Sequence, residues 1–220
     1  KIVCENKIPI SRGLGSSAAA IISGLLIGNE LSDNNLSRMD IFELGSEIEG
    51  HSDNIAATLF GGCQIVVQDK KVISDVSIPK NMNIVLYIPQ EPVSTDQARS
   101  VLPSLIAYSD AIYNLGRIAL LINSLNSGNL KNLKIATEDK LHQPYRQTIF
   151  PSMRVIMNAA INAGANGAFL SGSGSAILAI SNGNKNAIAY EMMEAASKRG
   201  IKGEALITKP WGDGAKIDIL

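Results

Sequence analysis

The segment that most constrains this chain is residues 9–20, PISRGLGSSAAA, which joins a predicted strand to a predicted helix. Gly13 and Gly15 can adopt left-handed backbone angles and let the main chain approach a ligand closely. Ser16 and Ser17 stand at the helix start, where free N–H groups and the helix dipole favour a phosphate group. On these residues alone, a phosphate-binding loop and a plain capped helix after a tight turn are equally compatible.

Two better-known phosphate loops fit this segment poorly. A Walker A loop needs a lysine directly after its last glycine, and none is present. A dinucleotide fingerprint needs a third glycine where Ala18 stands; because alanine is permitted there, that motif stays a weak competitor.

The pattern of apolar residues along the chain predicts alternating groups of helices and short strands. This order is typical of an α+β protein in which helices pack on antiparallel sheets. Pro79 suggests a boundary between a domain over 1–78 and a domain over 79–220. The predicted helices cover 16–31, 37–49, 53–60, 95–99, 104–124, 130–141, 152–163 and 185–199, and the predicted strands cover 1–8, 63–68, 72–78, 83–88, 204–208 and two strands flanking a glycine turn within 168–180.

Charge and composition exclude several classes of partner. The 220 residues include 20 basic and 20 acidic side chains, so the formal net charge is zero, which argues against nucleic-acid or membrane-surface binding. No apolar run of membrane-spanning length occurs. The two cysteines, Cys4 and Cys63, form no disulfide framework, and we expect reduced thiols in a cytoplasmic protein.

Three segments together resemble the GHMP kinases, the family of galactokinase and of homoserine, mevalonate and phosphomevalonate kinases. Residues 9–20 are similar to the family's phosphate-binding motif, 49–62 (EGHSDNIAATLFGG) to its E-G-H-x-D-N segment, and 170–175 (LSGSGS) to its third, glycine-rich motif. The resemblance implies ATP and Mg²⁺ as cofactors. It also implies the GHMP kinase fold, an incomplete ribosomal-S5-like α+β N-terminal domain followed by a ferredoxin-like α+β C-terminal domain. The implied nucleotide-binding residues are Pro9, Gly13, Leu14, Gly15, Ser16, Ser17, Ala18, Gly172 and Gly174.

Two more stretches are similar to the homoserine kinases within this family, STDQARSVLP at 94–103 and LHQPYR at 141–146. The resemblance implies phosphorylation of the side-chain hydroxyl of L-homoserine, in threonine biosynthesis. Another kinase of the family, such as one acting on mevalonate or shikimate, and a non-catalytic binding protein remain the alternatives. We also expect a homodimer.

The resemblance places an acidic residue, Glu49, near Mg²⁺. A carboxylate ending one helix and a hydroxyl starting another can share this hard ion, so Ser17, or else Ser16, is the second expected ligand. Asp53 is either a general base or the N-cap of the helix 53–60. Asn54 is expected to face the substrate, and His51 to orient the loop.

Thr95 and Arg99 lie four residues apart and therefore on one helix face. The planar fork of Arg99 suits the carboxylate of an amino acid, although a surface salt bridge with Asp96 or Glu91 is the alternative. Thr95 either contacts the attacking hydroxyl or caps the helix. Lys209 falls where the resemblance implies a second carboxylate-binding arginine.

The family's first motif, on an N-terminal segment, has no counterpart in this sequence. We therefore expect these 220 residues by themselves to bind ATP poorly and to be inactive.

Overall fold

The structure is a computed structural model that describes residues 1–32 and 35–218. It consists of two compact units. The first comprises Lys1–Ile8, Gly15–Ile78 and the residues from Trp211 onward, and the second comprises Pro9–Leu14 and Pro79–Pro210. The chain therefore passes from the second unit to the first between Leu14 and Gly15, inside residues 9–20, which we call the glycine–serine segment. The domain limits 1–78 and 79–220 stay a prediction.

Three helices and one hairpin build the first unit. The helices are α1 (Ser16–Leu31), α2 (Arg38–Glu49) and α3 (Asp53–Phe60), and the antiparallel hairpin pairs β1 (Cys63–Val67) with β2 (Val72–Val76) around a 3-10 turn at Gln68–Lys70. The three helices enclose a core of Ala18, Ile22, Leu26, Ile41, Phe42, Ile55, Ala56 and Leu59. Ala18, Ile22 and Leu26 recur every fourth residue, so one face of α1 is buried as its sequence predicts.

The boundaries of α2 have clear local causes. Ser37 caps its start in a capping box, in which the Ser37 side chain accepts from the Asp40 N–H and the Asp40 side chain accepts from the Ser37 N–H. Gly50 ends it in the left-handed conformation, at φ 80°. Both signals are present in the sequence, and they fix the position of Glu49 as the last helical residue.

The second unit is a four-stranded antiparallel sheet with helices. Its strands are β3 (Asn83–Pro89), β4 (Gly167–Leu170), β5 (Ile177–Ser181) and β6 (Gly203–Thr208), in the order β4-β5-β3-β6. The helices are α4 (Thr95–Ser100), α5 (Tyr108–Ser127), α6 (Leu133–Ala136), α7 (Gln143–Arg146), α8 (Met153–Asn162) and α9 (Lys185–Ser197), with a 3-10 turn at Leu130–Asn132.

The central strand β3 is buried on both faces. Val85 and Tyr87 face the main core with α8 and α9, whereas Leu86 and Ile88 join a second cluster that includes Leu14 of the glycine–serine segment. This explains the continuous apolar run of β3, because a strand covered on both sides has no polar face. The predicted α+β class is confirmed.

Some predicted elements are wrong. Residues 1–8 alternate apolar and polar side chains but form no strand, and within the described ranges they pair with none. The predicted helix 104–124 begins only at Tyr108, and the predicted helix 130–141 ends by Ala136. Beyond it the Asp139 carboxylate accepts the amide N–H groups of Leu141, His142 and Gln143, and so starts the short helix α7 instead. Along the described part of the chain, no helix is both long and apolar enough to cross a membrane.

Candidate active site

The start of α1 is an open helix end. Gly15 precedes the helix in the left-handed conformation, at φ 75°, and its side-chain-free position offers no cap to the first-turn N–H groups. The packing of α1 against α2 and α3 holds this helix end in place. Gly45 of α2 lies against Ile22 and Ile55, and a Cβ atom added to Gly45 would stand 3.3 Å from the Ile22 side chain and 3.1 Å from the Ile55 side chain. An uncapped helix N-terminus on a closely packed helix suits an anionic ligand.

Ser17 and Glu49 meet beside this helix end. The Ser17 hydroxyl donates to Glu49 Oε2 over 2.6 Å, and the Glu49 side chain is 12% exposed. The serine comes from the first turn of α1 and the acid from the last residue of α2, so the packing of these two helices brings them together. Of the two serines considered from the sequence, Ser17 is the one that contacts the acid.

His51 links Glu49 to Asp53. Its Nε2 atom lies 3.8 Å from Glu49 Oε1, and its Nδ1 atom lies 2.8 Å from Asp53 Oδ1. The structure therefore gives this histidine two carboxylate neighbours. We call Ser17, Glu49, His51 and Asp53 the acid–serine cluster.

The alternative of Asp53 as an N-cap is wrong, because Ser52 occupies that position and Asp53 is the first residue of α3. Asp53 Oδ1 nevertheless accepts the N–H of Asn54 over 2.8 Å. Asn54 itself is exposed, and its Oδ1 atom lies 3.9 Å from the place of a Cβ on Gly15, so its carboxamide stands near the start of α1.

In the second unit, Gly13 packs directly on the turn between β4 and β5. The Ser171 hydroxyl donates to the Gly13 carbonyl over 2.8 Å. A Cβ on Gly13 would collide with the Ser171 carbonyl oxygen and stand 2.7 Å from Gly174 N, and a Cβ on Gly172 would stand 3.2 Å from Gly13 O. We call Gly13, Ser171, Gly172 and Gly174 the glycine contact, since main chain meets main chain there.

Two further groups hold the segment 9–14 in place, and sequence reasoning missed the first. The Arg12 guanidinium donates to the carbonyls of Ile10, Pro89 and Gln90, the first two over 2.7 Å. Leu14 packs into the apolar cluster beneath. Pro9 opens the segment and is partly buried.

Thr95 and Arg99 are exposed on α4, as the four-residue spacing predicts. Ser94 caps this helix, so the alternative of Thr95 as the cap is wrong. Within the described residues Arg99 makes no ion pair with Asp96 or Glu91, and the predicted alternative of a surface salt bridge there is wrong as well.

Arg146 is a second guanidinium in the neighbourhood of Arg99. It donates to the Gly172 carbonyl over 2.8 Å and to the Ala98 carbonyl over 3.4 Å, and so joins α4 to the glycine contact. Burial lowers the pKa of Arg146, and the Arg99 charge lowers it further against the opposing effect of Asp139. Two like charges that repel one another are suited to a shared anion. Lys209 lies exposed after β6 and is not brought to these arginines by any described contact.

Family models match both parts of the chain. Residues 1–62 match the GHMP kinases N-terminal domain, and residues 111–199 match the GHMP kinases C-terminal domain. These matches confirm the predicted fold.

Two curated relatives and one crystal structure that are similar to this chain are all homoserine kinases. The chain is 40% identical to a homoserine kinase of Caldanaerobacter subterraneus, over 99% of this chain and 70% of that protein. It is 39% identical to a homoserine kinase of Nostoc punctiforme, over 98% of this chain and 72% of that protein. The crystal structure of homoserine kinase from Cytophaga hutchinsonii superposes with a TM-score of 0.88 at 28% identity, covering 95% of this chain and 69% of that one.

Proposed function

Because this chain belongs to the homoserine kinase family of GHMP kinases, we propose that it transfers the γ-phosphoryl group of ATP to the side-chain hydroxyl of L-homoserine. The product would be O-phospho-L-homoserine, an intermediate of threonine biosynthesis. The observation that carries the proposal is the contact between Ser17 and Glu49 at the open end of α1. Phosphoryl transfer depends mainly on positioning and charge neutralisation, and this arrangement offers both.

Ser17 and Glu49 fit a magnesium ion. Both present hard oxygen atoms, 2.6 Å apart, and the acid is largely shielded from solvent. In the described part of the chain, no set of three acidic, histidine or cysteine side chains is arranged so that it could hold a metal ion by itself. Ser17 and Glu49 would therefore hold Mg²⁺ together with the bound nucleotide. When bound, Mg²⁺ would neutralise charge on the phosphate oxygens.

Backbone groups would hold the phosphates. The uncapped N–H groups at the start of α1, from Ser16 to Ala18, are donors for phosphate oxygens. The left-handed glycines Gly13 and Gly15 keep the main chain free of side chains there, and the turn at Gly172 and Gly174 supports Gly13. We propose these residues, with Pro9 and Leu14 as their fixed flank, as the nucleotide-binding set.

The substrate would be held by its ends. We assign its carboxylate to Arg99, with the half-buried Arg146 as the neighbouring positive charge. Thr95 and Asn54 are the proposed partners of the hydroxyl and amino groups, with His51 orienting Asp53. Lys209 is kept as a weaker carboxylate partner, because an ammonium lacks the bidentate fork.

Asp53 Oδ2 is the proposed acceptor of the hydroxyl proton. Asp53 Oδ1 is already engaged by His51 and by the Asn54 N–H, which holds the carboxylate in one orientation. A base contributes little when the transition state is loose, so Asp53→Asn should lower kcat by only about 10- to 100-fold.

We further propose a cytoplasmic enzyme that works as a homodimer. Cys4 and Cys63 are both free thiols, in keeping with a reducing compartment.

The test is a substrate panel on the native protein purified from its source organism. ADP release would be followed with ATP, Mg²⁺ and L-homoserine, mevalonate or shikimate. We expect turnover with L-homoserine and at least about 10²-fold lower kcat/KM with the other two, because both carry a carboxylate but lack the α-amino group for which Thr95 and Asn54 are proposed partners. Higher turnover with mevalonate or shikimate would reassign the substrate, and binding without turnover would favour a non-catalytic protein.

A further inference from the structure

The side chain of Arg12 joins three main-chain positions of the second unit. Its Nε atom donates to the Pro89 carbonyl and its Nη1 atom to the Ile10 carbonyl, each over 2.7 Å, and its Nη2 atom donates to the Gln90 carbonyl. All three acceptors are uncharged oxygen atoms of the backbone. A planar guanidinium keeps its N–H groups in fixed directions, so these three carbonyls are held in place relative to one another.

Four consecutive carbonyl groups, those of residues 10–13, accept hydrogen bonds within the second unit. In chain order the donors are the Arg12 side chain, the Val93 N–H, the Ala176 N–H and the Ser171 hydroxyl. By contrast, none of the N–H groups of residues 10–14 donates to a described part of the chain. The segment 9–14 is therefore fixed through its carbonyls, and its N–H groups are left as donors for the phosphates of the proposed nucleotide.

The same side chain also holds the connection between β3 and α4. Beyond Pro89 the chain leaves the sheet, and residues 90–94, which we call the α4 connection, belong to no helix or strand. Hydrogen bonds nevertheless hold its main chain at several positions. In chain order these are the bonds from Arg12 to the Gln90 carbonyl, from the buried Ser175 hydroxyl to the Glu91 carbonyl over 2.8 Å, and from the Val93 N–H to the Ser11 carbonyl over 3.2 Å.

The α4 connection sets the place where α4 begins. Its last residue, Ser94, is the N-cap of the helix, and the Ser94 hydroxyl accepts the Gln97 N–H over 3.1 Å. Thr95 and Arg99, which are proposed to bind the phosphoryl acceptor, follow on the same helix. A shift of the connection would therefore displace both of these side chains, and small displacements in a site have large effects on binding and rate.

Ser11 lies between the segment and the connection in a conformation that serine rarely adopts. Its φ is 57°, in the left-handed region of the backbone map. Such a conformation persists where the surrounding contacts over-determine it. The Arg12 side chain binds the carbonyl that precedes Ser11, and the Val93 N–H binds the Ser11 carbonyl itself. Loss of the Arg12 side chain should therefore let Ser11 relax, and this relaxation would move both the segment 9–14 and the α4 connection.

We propose that Arg12 is a positioning residue for both substrates, because one guanidinium fixes the segment 9–14 and the α4 connection relative to each other. This inference rests on the proposed function, which assigns the segment to the nucleotide and α4 to the phosphoryl acceptor. Loss of the Arg12 side chain should weaken the binding of both, whereas a change in Arg99 should weaken the binding of the acceptor alone.

The first test is steady-state kinetics of the native protein and of its Arg12→Ala variant, with ATP and L-homoserine each varied. We expect both KM values to rise by about 10-fold, and kcat to fall by a smaller factor, because three hydrogen bonds from a charged group are lost away from the reacting atoms. Arg12→Lys keeps the charge and loses the fork, so both of its KM values should lie between those of Arg12→Ala and wild type.

Arg38→Ala is the matched control for the kinetics. The Arg38 guanidinium also donates to main-chain carbonyls, those of Leu59 and Ala215, but these lie in the first unit and outside both segments that Arg12 holds. This variant should leave both KM values unchanged. A rise of only one KM in Arg12→Ala, a rise of neither, or an equal rise of both in Arg38→Ala would overturn the proposal.

The second test separates positioning from a general loss of packing. Guanidinium ion, added to Arg12→Ala far below the concentrations that unfold proteins, can donate to the same carbonyls. We expect it to lower both KM values of this variant by at least about 3-fold. Sodium chloride at the same ionic strength should lower neither. KM values that guanidinium leaves unchanged would assign the effect to a general loss of structure and would contradict the proposal.

Failure of the proposed function would be visible in wild type, and failure of this inference only in the variants. If the substrate panel selects another acceptor, the same kinetics are measured with that acceptor. Calorimetric titration with a non-hydrolysable ATP analogue needs no acceptor, and we expect about 10-fold weaker binding to Arg12→Ala than to wild type. Equal affinity of the two proteins in this titration would overturn the role of Arg12 even where L-homoserine is the substrate.

Discussion

The acid–serine cluster and the glycine contact are built by opposite means. In the first, side chains from the ends of three helix segments meet: a hydroxyl, two carboxylates and an imidazole. In the second, main chain meets main chain, and the side chains of Ser171 and Arg146 donate to backbone carbonyls. The chemistry of the acid–serine cluster therefore depends on its functional groups. The packing of the glycine contact depends on the absence of side chains at its glycines.

This difference determines how each region fails. An isosteric change in the acid–serine cluster removes charge and leaves packing intact, so the protein should fold and lose ion binding. The smallest addition at the glycine contact forces backbone apart, so geometry is lost even though no functional group is removed. Variants of the two regions can therefore be distinguished: those of the acid–serine cluster should keep the packing, and those of the glycine contact should keep every functional group.

The largest effect is expected for Gly13→Ala. Its Cβ would collide with the Ser171 carbonyl oxygen at a left-handed φ of 70°, so the segment 9–14 must move. We expect kcat/KM of the native protein to fall by at least about 10²-fold, since a displacement near 1 Å has that effect. Gly24→Ala, in an open helical position, is the control and should keep activity. Full activity of Gly13→Ala would remove the contrast between the two regions.

Arg99→Lys should have a smaller effect, and this effect should be on the KM for the substrate. The lysine keeps the charge and loses the planar fork, so KM for L-homoserine should rise by about 10-fold while KM for ATP stays constant. Steady-state kinetics with each substrate varied would measure both. Lys198→Arg, at the residue that follows α9, is a matched control for the exchange of these two side chains. A rise in the KM for ATP alone would assign Arg99 to the nucleotide.

The smallest effect is expected for Asp139→Asn, which changes stability. Burial by itself would raise the pKa of Asp139, but hydrogen bonds from Asn114 and from the backbone of residues 141–143 outweigh it, and the pKa is lowered. A carboxyl with a lowered pKa stabilises the fold above its unfolded pKa of about 3.9 and loses that contribution as pH falls through its folded pKa.

Urea unfolding should therefore show a loss of about 1 kcal/mol for Asp139→Asn at pH 7 and a smaller loss near pH 3. Asp69→Asn, at an exposed position, should change neither value. A difference from wild type that grows toward low pH would contradict the sign of the pKa shift.

Much of the fold could be predicted from local signals. The helix over 16–31, the capping box at Ser37 and the helix over 53–60 stand where the sequence puts them, because each has its own start or stop residue. Residues 1–8 could not be predicted in this way, since a strand exists only with a partner and alternation does not supply one. The helix end near Ala136 depends on Asp139, which accepts a hydrogen bond from the Asn114 side chain on α5 as well as from nearby backbone N–H groups.

The candidate site was predictable in its residue types and less so in its contacts. The resemblance of the segments around Ser17 and Glu49 to the GHMP kinase motifs implies a shared ion, but the 2.6 Å contact between the two residues requires the packing of α1 on α2. The contacts of Arg12 and Arg146 could not be predicted, because their partners are backbone carbonyls distant in sequence. A motif search reads side chains, and these arginines act on the main chain.

The proposed function requires that Ser17 and Glu49 hold one metal ion together. Electron paramagnetic resonance of Mn²⁺, in place of Mg²⁺, bound to the native protein with a non-hydrolysable ATP analogue would measure this. Ser17→Ala, Glu49→Gln and the double variant form a cycle, with Glu47→Gln, on the same helix, as the control. We predict that each single change weakens Mn²⁺ binding by about 10-fold or more and that the double change adds little to Glu49→Gln, because a shared ion is lost once. Unchanged Mn²⁺ affinity in Glu49→Gln, with an intact fold, would contradict the claim.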